Sequence, residues 1–437
     1  MAETMPGRTA AVTLREHPLR RGLAGEVHAR PYEVMAAPVR ASHLALAHGD
    51  QGDAAAERAH LAALLAAHGV EPPGEGATHF SRDLGGLRLR YERHIEFTTY
   101  TFLRFDPFDH PFRETALDLV AADWLAGLPG QVIAALHLGV EDRAATPERT
   151  AALFDGNPLV GSRVGSGAAE IWTDFRLHAD GFGRVLIHDT GLSPGQTGRL
   201  VQRLAEVETY RLMALLAFPA ARRANAEVAR IDGDIAAIIG ALADPAIRQN
   251  DRDLLDRLTG LAAEAERLDA ATAFRLSAAR AYYAIVKSRI ADLREERIPG
   301  AQTVAEFMQR RLAPAMKTCE TAGERQAMLS ARVSRTGDLL RTRVDIALEE
   351  KNAELLRSMN RRAKMQLRLQ ETVEGLSVVA ISYYLLGLAG YAAKGAKAAG
   401  LHIDSDLAGL AALPVVVAAV VLGLRRLRKA LGHGGEE

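Results

Sequence analysis

The chain has 437 residues, with 54 Lys and Arg against 54 Asp and Glu, and 48% of its residues are hydrophobic. That length predicts two or three domains with ample material for a core, and zero formal charge argues against a generally nucleic-acid-binding surface. A single cysteine, Cys319, excludes an internal disulfide framework and any cysteine-cluster zinc or iron–sulfur site.

Residues 1–40 form an N-terminal segment without an unbroken apolar run of signal-peptide length. No cleaved export signal is expected there, and the bulk of the chain is expected to be cytoplasmic. Residues 41–192 read as a cytoplasmic α+β domain. Period-two or β-rich runs occur at His43–Ala47, Leu87–Tyr91, Phe97–Phe105, Val132–Leu138, Ile171–Leu177 and Arg184–His188. Helical patterns lie between some of them, at Ala54–His68 and Phe112–Ala126. The order strand, helix, two strands, helix, strand resembles a split βαβ, ferredoxin-like unit. Ile171–His188, with Asp180-Gly181 at the turn, then adds a hairpin.

Residues 193–298 read as a helical region. Ser193 and Pro194 suit an N-cap and first helical position, and Leu200, Leu204, Val207 and Leu215 follow at helical spacing. Pro219 and Asp244-Pro245 punctuate the region. A long stalk helix is expected over 299–374. Thr303 and Glu306 fit a capping box that starts a helix near Val304, and Pro314 is expected to kink it. Leu340, Val344, Leu348, Leu355 and Met359 then recur at spacings of four and seven. Such a stripe cannot be buried by one helix alone and must pack on other helices of the chain or on copies of itself.

Two C-terminal stretches, 375–393 and 407–424, contain no charged residue. Each approaches the ~20 residues that carry a helix across a bilayer, and backbone amides must be paired internally in lipid. Arg361, Arg362, Lys364 and Arg368 precede the first, and Arg425, Arg426, Arg428 and Lys429 follow the second within a basic tail at 425–437. The connecting loop 394–406 mixes Lys394 and Lys397 with Asp404 and Asp406. The positive-inside rule therefore predicts a transmembrane hairpin in the cytoplasmic membrane, with both termini cytoplasmic and the short loop outside. The competing interpretation is a buried helical hairpin in a soluble protein. Ala419 with Gly423, and Gly387 with Gly390, offer small residues for helix packing or simply face lipid.

Candidate chemistry is sparse. On an extended strand Glu92, His94 and Glu96 would share a face, and so would Asp174, Arg176 and His178. If the two strands were neighbours, Glu92, His94, Glu96, Asp174 and His178 could converge on a divalent metal. Cross-strand charge pairing with Arg88, Arg90 and Arg176, or a hairpin turn near Arg93-His94, is the favoured alternative. Glu26, His28, Arg30 and Pro31 read as a buried hydrogen-bonded turn rather than a catalytic constellation. Asp83-Leu84-Gly85-Gly86 reads as a β-turn, and neither it nor 161–167 matches a nucleotide-binding glycine motif. No GxSxG, HExxH or paired-cysteine motif is present, so no cofactor or catalytic residue is assigned and an enzyme is not favoured.

Several long stretches form a signature together: EVHARP at Glu26–Pro31, DLGGLRLRYERHIEFTTYTF at Asp83–Phe102, WTDFRLHADGFGR at Trp172–Arg184 and VQRLAEVETYRLMALL at Val201–Leu216. RAYYAIVKSRIADLREERIPGAQT follows at Arg280–Thr303, and further segments follow between Arg341 and Tyr384. On these the chain resembles the uncharacterised bacterial membrane-anchored family catalogued as domain of unknown function 3422. The resemblance implies an architecture and no activity. A looser likeness to CorA-type magnesium channels concerns architecture only. Where those channels carry Gly-Met-Asn, this chain has Gly390-Tyr391-Ala392; Ser377 and Ser382 are the polar pore candidates of the first span.

These features lead to a membrane-anchored, self-associating protein whose large cytoplasmic domain senses or scaffolds something. A divergent CorA-like divalent-cation channel or transporter is the alternative. A third option is a tethered enzyme that uses Glu92, His94 and His178.

Overall fold

In this computed structural model the described residues are 15–28, 31–48, 53–142, 146–243, 251–398 and 405–432. Nine strands form one mixed sheet: β1 (Val39–Ala47), β2 (His79–Asp83), β3 (Arg88–Arg93), β4 (Phe97–Arg104), β5 (Gln131–Glu141), β6 (Val160–Val164), β7 (Ala169–Thr173), β8 (Gly183–Asp189) and β9 (Glu296–Arg297). Their order across the sheet is β2-β3-β4-β1-β5-β8-β7-β6-β9. All neighbours are antiparallel except β5 and β8, which run parallel. Within this sheet, β3, β4, β1 and β5 lie side by side in the order of a split βαβ unit. The hairpin expected from Ile171 to His188 is β7–β8, with Gly181 at φ 82° in its loop.

Two helical layers cover the sheet. α2 (Ala54–Ala67) is capped by the Asp53 carboxylate, which accepts from the amides of Ala55 and Ala56 at 2.8 and 3.1 Å. It lays Leu61, Leu64 and Leu65 on Tyr91, Tyr100, Phe102 and Trp124, in one core. Trp124 belongs to α3 (Ala122–Ala126), which follows a 3₁₀ turn at Ala116–Leu119. The continuous helix expected over Phe112–Ala126 is therefore two short pieces. Thr115 and Asp118 cap the first, and the extended backbone at Val120 separates them.

The opposite face carries α5 (Pro194–Leu215), started by a Ser193–Gln196 capping box, and α7 (Asp251–Leu293). α6 (Ala217–Ala243) packs on α7. α8 (Val304–Arg311) begins at the expected Thr303–Glu306 capping box. Sheet residues Val39, Leu138 and Ile187 share a core with Leu200 and Val207 of α5, Leu276 and Val286 of α7, and Met308 of α8. Met316, Cys319 and Ala322 belong to the same core and open α9 (Ala313–Ala398). Pro314 does not kink a running helix. α8 has ended at Arg311, so Pro314 sits in the first turn of α9, where a missing amide hydrogen leaves no bond unmade.

The chain divides into two compact units, residues 1–337 and 338–437. The first unit contains the sheet and the helices packed on it. It also holds α1 (Arg20–His28) and the short α4 (Pro147–Ala152). The backbone is helical through Glu26 and His28 of α1 instead of turning there, and Arg30 lies outside the described residues. The second unit comprises α9 from Asp338 onward and α10 (Ser405–Gly432), with Pro414 inside it. Residues 399–404 of the predicted outer loop and 433–437 of the basic tail lie outside the described residues. α9 is the one candidate, among the described residues, that is long and apolar enough to cross a membrane by length and composition.

Candidate functional site

The two groups of predicted ligands do not meet. β3 and β7 are separated in the sheet by β4, β1, β5 and β8. Five inter-strand steps of ~4.8 Å put them roughly 24 Å apart, so Glu92, His94 and Glu96 share no centre with Asp174 and His178. The tethered-enzyme site built on Glu92, His94 and His178 fails for the same reason. Among the described residues, no group of three or more His, Cys, Asp or Glu is placed to hold a metal ion.

At the first location the chain reverses direction. The His94 amide donates to the Phe97 carbonyl at 2.8 Å, closing the β3–β4 hairpin with Ile95 exposed at its tip. The alternation that would place Glu92, His94 and Glu96 on one face ends there. Glu92 instead pairs with the buried Arg90 at 2.7 Å. The His94 ring stacks on Phe97 at 4.3 Å and 20°. Glu96 forms an ion pair with Arg275 and accepts the Tyr282 hydroxyl at 2.5 Å, which ties the hairpin tip to α7. Phe97 meets Tyr210 and Tyr282 edge-on beside it. These residues hold the sheet to its helices.

The second location has more structure than alternation predicts. β7 ends at Thr173, and Phe175 takes a left-handed backbone, φ 54°. An aromatic residue adopts this conformation only where its surroundings enforce it. Asp174 is buried. Its carboxylate accepts from the Asn157 side chain at 2.9 Å and from the Arg176 amide at 3.1 Å. The His178 ring lies between two carboxylates, with Nδ1 at 2.8 Å from Asp155 and Nε2 at 3.1 Å from Asp174. The hydrogen bond from His178, with Arg184 nearby, holds the Asp155 carboxyl below the usual carboxylate range. Both ring nitrogens therefore already face a carboxylate. Nδ1 is hydrogen-bonded to Asp155, and the Asp174 carboxylate is occupied by Asn157 and the Arg176 amide, which suits a loop anchor better than a metal ligand set.

This anchored loop forms one wall of a cavity of about 370 Å³. Asp174, Phe175 and Arg176 line it from the loop, Arg211 and Leu215 from α5, and Phe307 and Arg311 from α8. Asp174, Arg176 and His178 are visible in the sequence pattern, whereas Arg211, Phe307 and Arg311 are not. Those lie on helices more than thirty residues away, and only the packing of α5 and α8 brings them to the loop.

A second buried charge centre has no local signature in the sequence. At the adjoining ends of the parallel strands β5 and β8, Glu141 is paired in register with His188. Arg149 grips the Glu141 carboxylate with two bonds of 2.5 and 2.7 Å, and His188 Nδ1 lies 3.1 Å from it. Burial alone would raise the Glu141 carboxyl, but the bonds from Arg149 and His188 outweigh it and bring it down to about 2.

The glycine-rich segments are structural as well. Gly85 and Gly86, at φ 86° and 88°, turn β2 into β3. Gly161 leaves room for the Trp172 ring. Ser377, one of the two polar pore candidates, donates its hydroxyl to the Val373 carbonyl of its own helix at 2.9 Å.

No curated protein and no solved structure matches the chain. The model of one family, described as a protein of unknown function (DUF3422), matches residues 15–431, and the chain belongs to that family.

Proposed function

We propose that this member of the DUF3422 family is a membrane-anchored, self-associating protein whose α+β unit acts as a cytoplasmic sensor or scaffold. One observation carries the proposal. The uncharged stretch of α9 presents its large apolar side chains outward, with Leu376, Val379, Tyr383 and Tyr391 between 67% and 76% exposed. Apolar surface of that extent, gathered on one helix, marks a membrane or partner contact. α10 supports a second span, because Leu410, Val415 and Leu422 are also exposed. Basic residues before the first stretch and after the second favour both ends of the pair on the cytoplasmic side.

The rest of α9 supports self-association. Leu348, Leu355 and Met359, from the predicted stripe, are 55–65% exposed. A Cβ added at Gly387, Gly390 or Gly423 would meet nothing within 4 Å, so a second backbone could approach there.

Washing native membranes at high salt and alkaline pH tests the anchor. The protein is expected to stay with the bilayer until detergent is added; release without detergent refutes anchoring. Cross-linking in the same membranes is expected to capture oligomers, and a purely monomeric product refutes self-association.

A further inference from the structure

We propose that the cavity beside the Asp174–His178 loop binds a phosphate monoester carried on a flat apolar body no larger than a nucleotide. This goes beyond the anchoring proposal and does not depend on it, because the cavity lies within the sheet-containing unit.

The charge comes from three guanidinium groups on three elements. Arg176 stands on the loop, Arg211 on α5 and Arg311 on α8, and all line the cavity. Neither Arg176 nor Arg311 has a side-chain partner among the described residues. Arg211 is held by Glu208 through Nε and one terminal nitrogen, at 2.7 and 2.6 Å. Its other terminal nitrogen remains able to donate. The carboxylate lining the cavity, Asp174, already accepts from Asn157 and the Arg176 amide, and His178 Nε2 lies 3.1 Å from it. Guanidinium groups match phosphate oxygens with paired parallel hydrogen bonds, and a monoester's dianion suits several of them.

The apolar part comes from the floor. Phe175 stacks on Phe307 with ring centroids 4.6 Å apart and 18° between planes, and Arg211 lies over Phe175 at 5.4 Å. Leu215, Met308 and Leu312 complete the wall. A volume of about 370 Å³ holds one or two rings with a phosphate.

The loop is built to present these groups. The left-handed backbone at Phe175 sets its ring on Phe307 and leaves the next residue, Arg176, lining the cavity. Asp174 and His178, braced by Asp155, pin the loop on either side of it. Backbone strain maintained by surrounding structure is a recurring feature of binding sites.

The test is calorimetric titration of the detergent-solubilised full chain with phenyl phosphate, inorganic phosphate and phenol. Phenyl phosphate is expected to bind saturably and at least tenfold more tightly than either fragment. The double variant Arg176→Ala, Arg311→Ala is expected to weaken it at least tenfold. Arg310→Ala, whose guanidinium does not line this cavity, is expected to leave it unchanged. The double variant Arg176→Lys, Arg311→Lys keeps the charge and the favourable cation at the end of α8 while removing the planar fork, and is expected to fall between. Thermal unfolding of each variant checks that it is folded. No saturable phenyl phosphate binding, equal affinity for inorganic phosphate, or undiminished affinity in the folded alanine variant overturns the proposal. Since binding is read in detergent, these outcomes are separate from release of the chain from membranes.

Discussion

Two histidines buried in the sheet make the fold acid-sensitive in a defined window. His43 of β1 lies between the hydroxyls of Thr101 and Thr209, at 2.8 and 2.9 Å. His137 of β5 meets the Ser42 hydroxyl at 2.9 Å and stacks on Phe182 at 4.1 Å. Burial pushes both imidazoles down from 6.5 to about 4. Around His43, Glu92 opposes that shift while Arg90 and His94 add to it; around His137, Asp180 opposes it and Arg184 adds to it. Between pH 6.5 and 4 the unfolded chain therefore binds protons that the folded chain refuses. Stability is complete above about pH 6.5 and is lost as pH falls toward 4. Each ring contributes a slope of about 1.4 kcal/mol per pH unit and roughly 3 kcal/mol across the window. Two rings together could remove about half of a typical domain's stability of roughly 5–15 kcal/mol. Urea unfolding followed by tryptophan emission measures this directly, since both tryptophans, Trp124 and Trp172, lie in the sheet-containing unit. A His43→Asn, His137→Asn double variant is expected to lose most of the slope between pH 6.5 and 4.5. If its slope equals that of the unaltered chain, the two rings are not the cause.

Three further substitutions probe other parts of the unit. Gly198→Ala drives a Cβ onto the Glu33 carbonyl oxygen, a backbone atom with little freedom to move, and is expected to cost about 3 kcal/mol in urea unfolding. A cost under about 0.5 kcal/mol would mean that the Glu33 backbone does not lie against Gly198 of α5. Glu141→Gln removes a carboxylate held at about 2 and normally near 4.5. The deficit should be roughly 3 kcal/mol at pH 7, shrink as pH drops below 4.5 and vanish near 2, where the unaltered residue is protonated; a deficit independent of pH contradicts this. Tyr282→Phe deletes the hydroxyl bonded to Glu96 and is expected to cost about 2 kcal/mol, with faster hydrogen exchange at the β3–β4 hairpin tip. Unchanged exchange there would disconnect the tip from α7.

The sequence made some elements visible because one local rule governed them. β4 was predicted as Phe97–Phe105 and spans Phe97–Arg104, since its aromatic and β-branched residues have no competing preference. The start of α8 was evident because Thr303 and Glu306 cap each other across three residues. β6 was missed. Gly161 weakens its strand signal, and the reason for that glycine, the Trp172 ring across the hairpin, is a tertiary fact. β2 was missed because HFSRD is a polar edge strand with one buried side chain, Phe80. The candidate site was half legible for a similar reason. Asp174 and His178 stood out as residue types, but an alternating strand was the wrong local geometry for them. Nothing in an aromatic side chain announces a left-handed backbone at Phe175. Without that bend Arg176 cannot be placed, and without the packing of α5 and α8 neither can Arg211 or Arg311.

α9 shows how the same kind of residue acquires opposite roles. In its first turns Met316, Cys319 and Ala322 recur every third residue and are buried in the sheet-containing core, so their apolar surface is satisfied within the chain. Farther along, eight large side chains between Leu376 and Tyr391 remain 41–76% exposed. Fully burying an aliphatic side chain yields about 1.5–3 kcal/mol, so Leu376, Val379, Ile381, Leu385 and Leu388, each already partly covered, together represent roughly 4–9 kcal/mol. That is comparable to the folding stability of an ordinary domain. A few scattered exposed leucines would be unremarkable on a protein surface, but this concentration on one uncharged stretch favours an apolar partner. The proposed bilayer supplies one along the whole stretch. Neighbouring copies alone would have to cover a wide sector of the helix, because Tyr383 and Tyr384 are successive residues about 100° apart around it and both are more than 70% exposed.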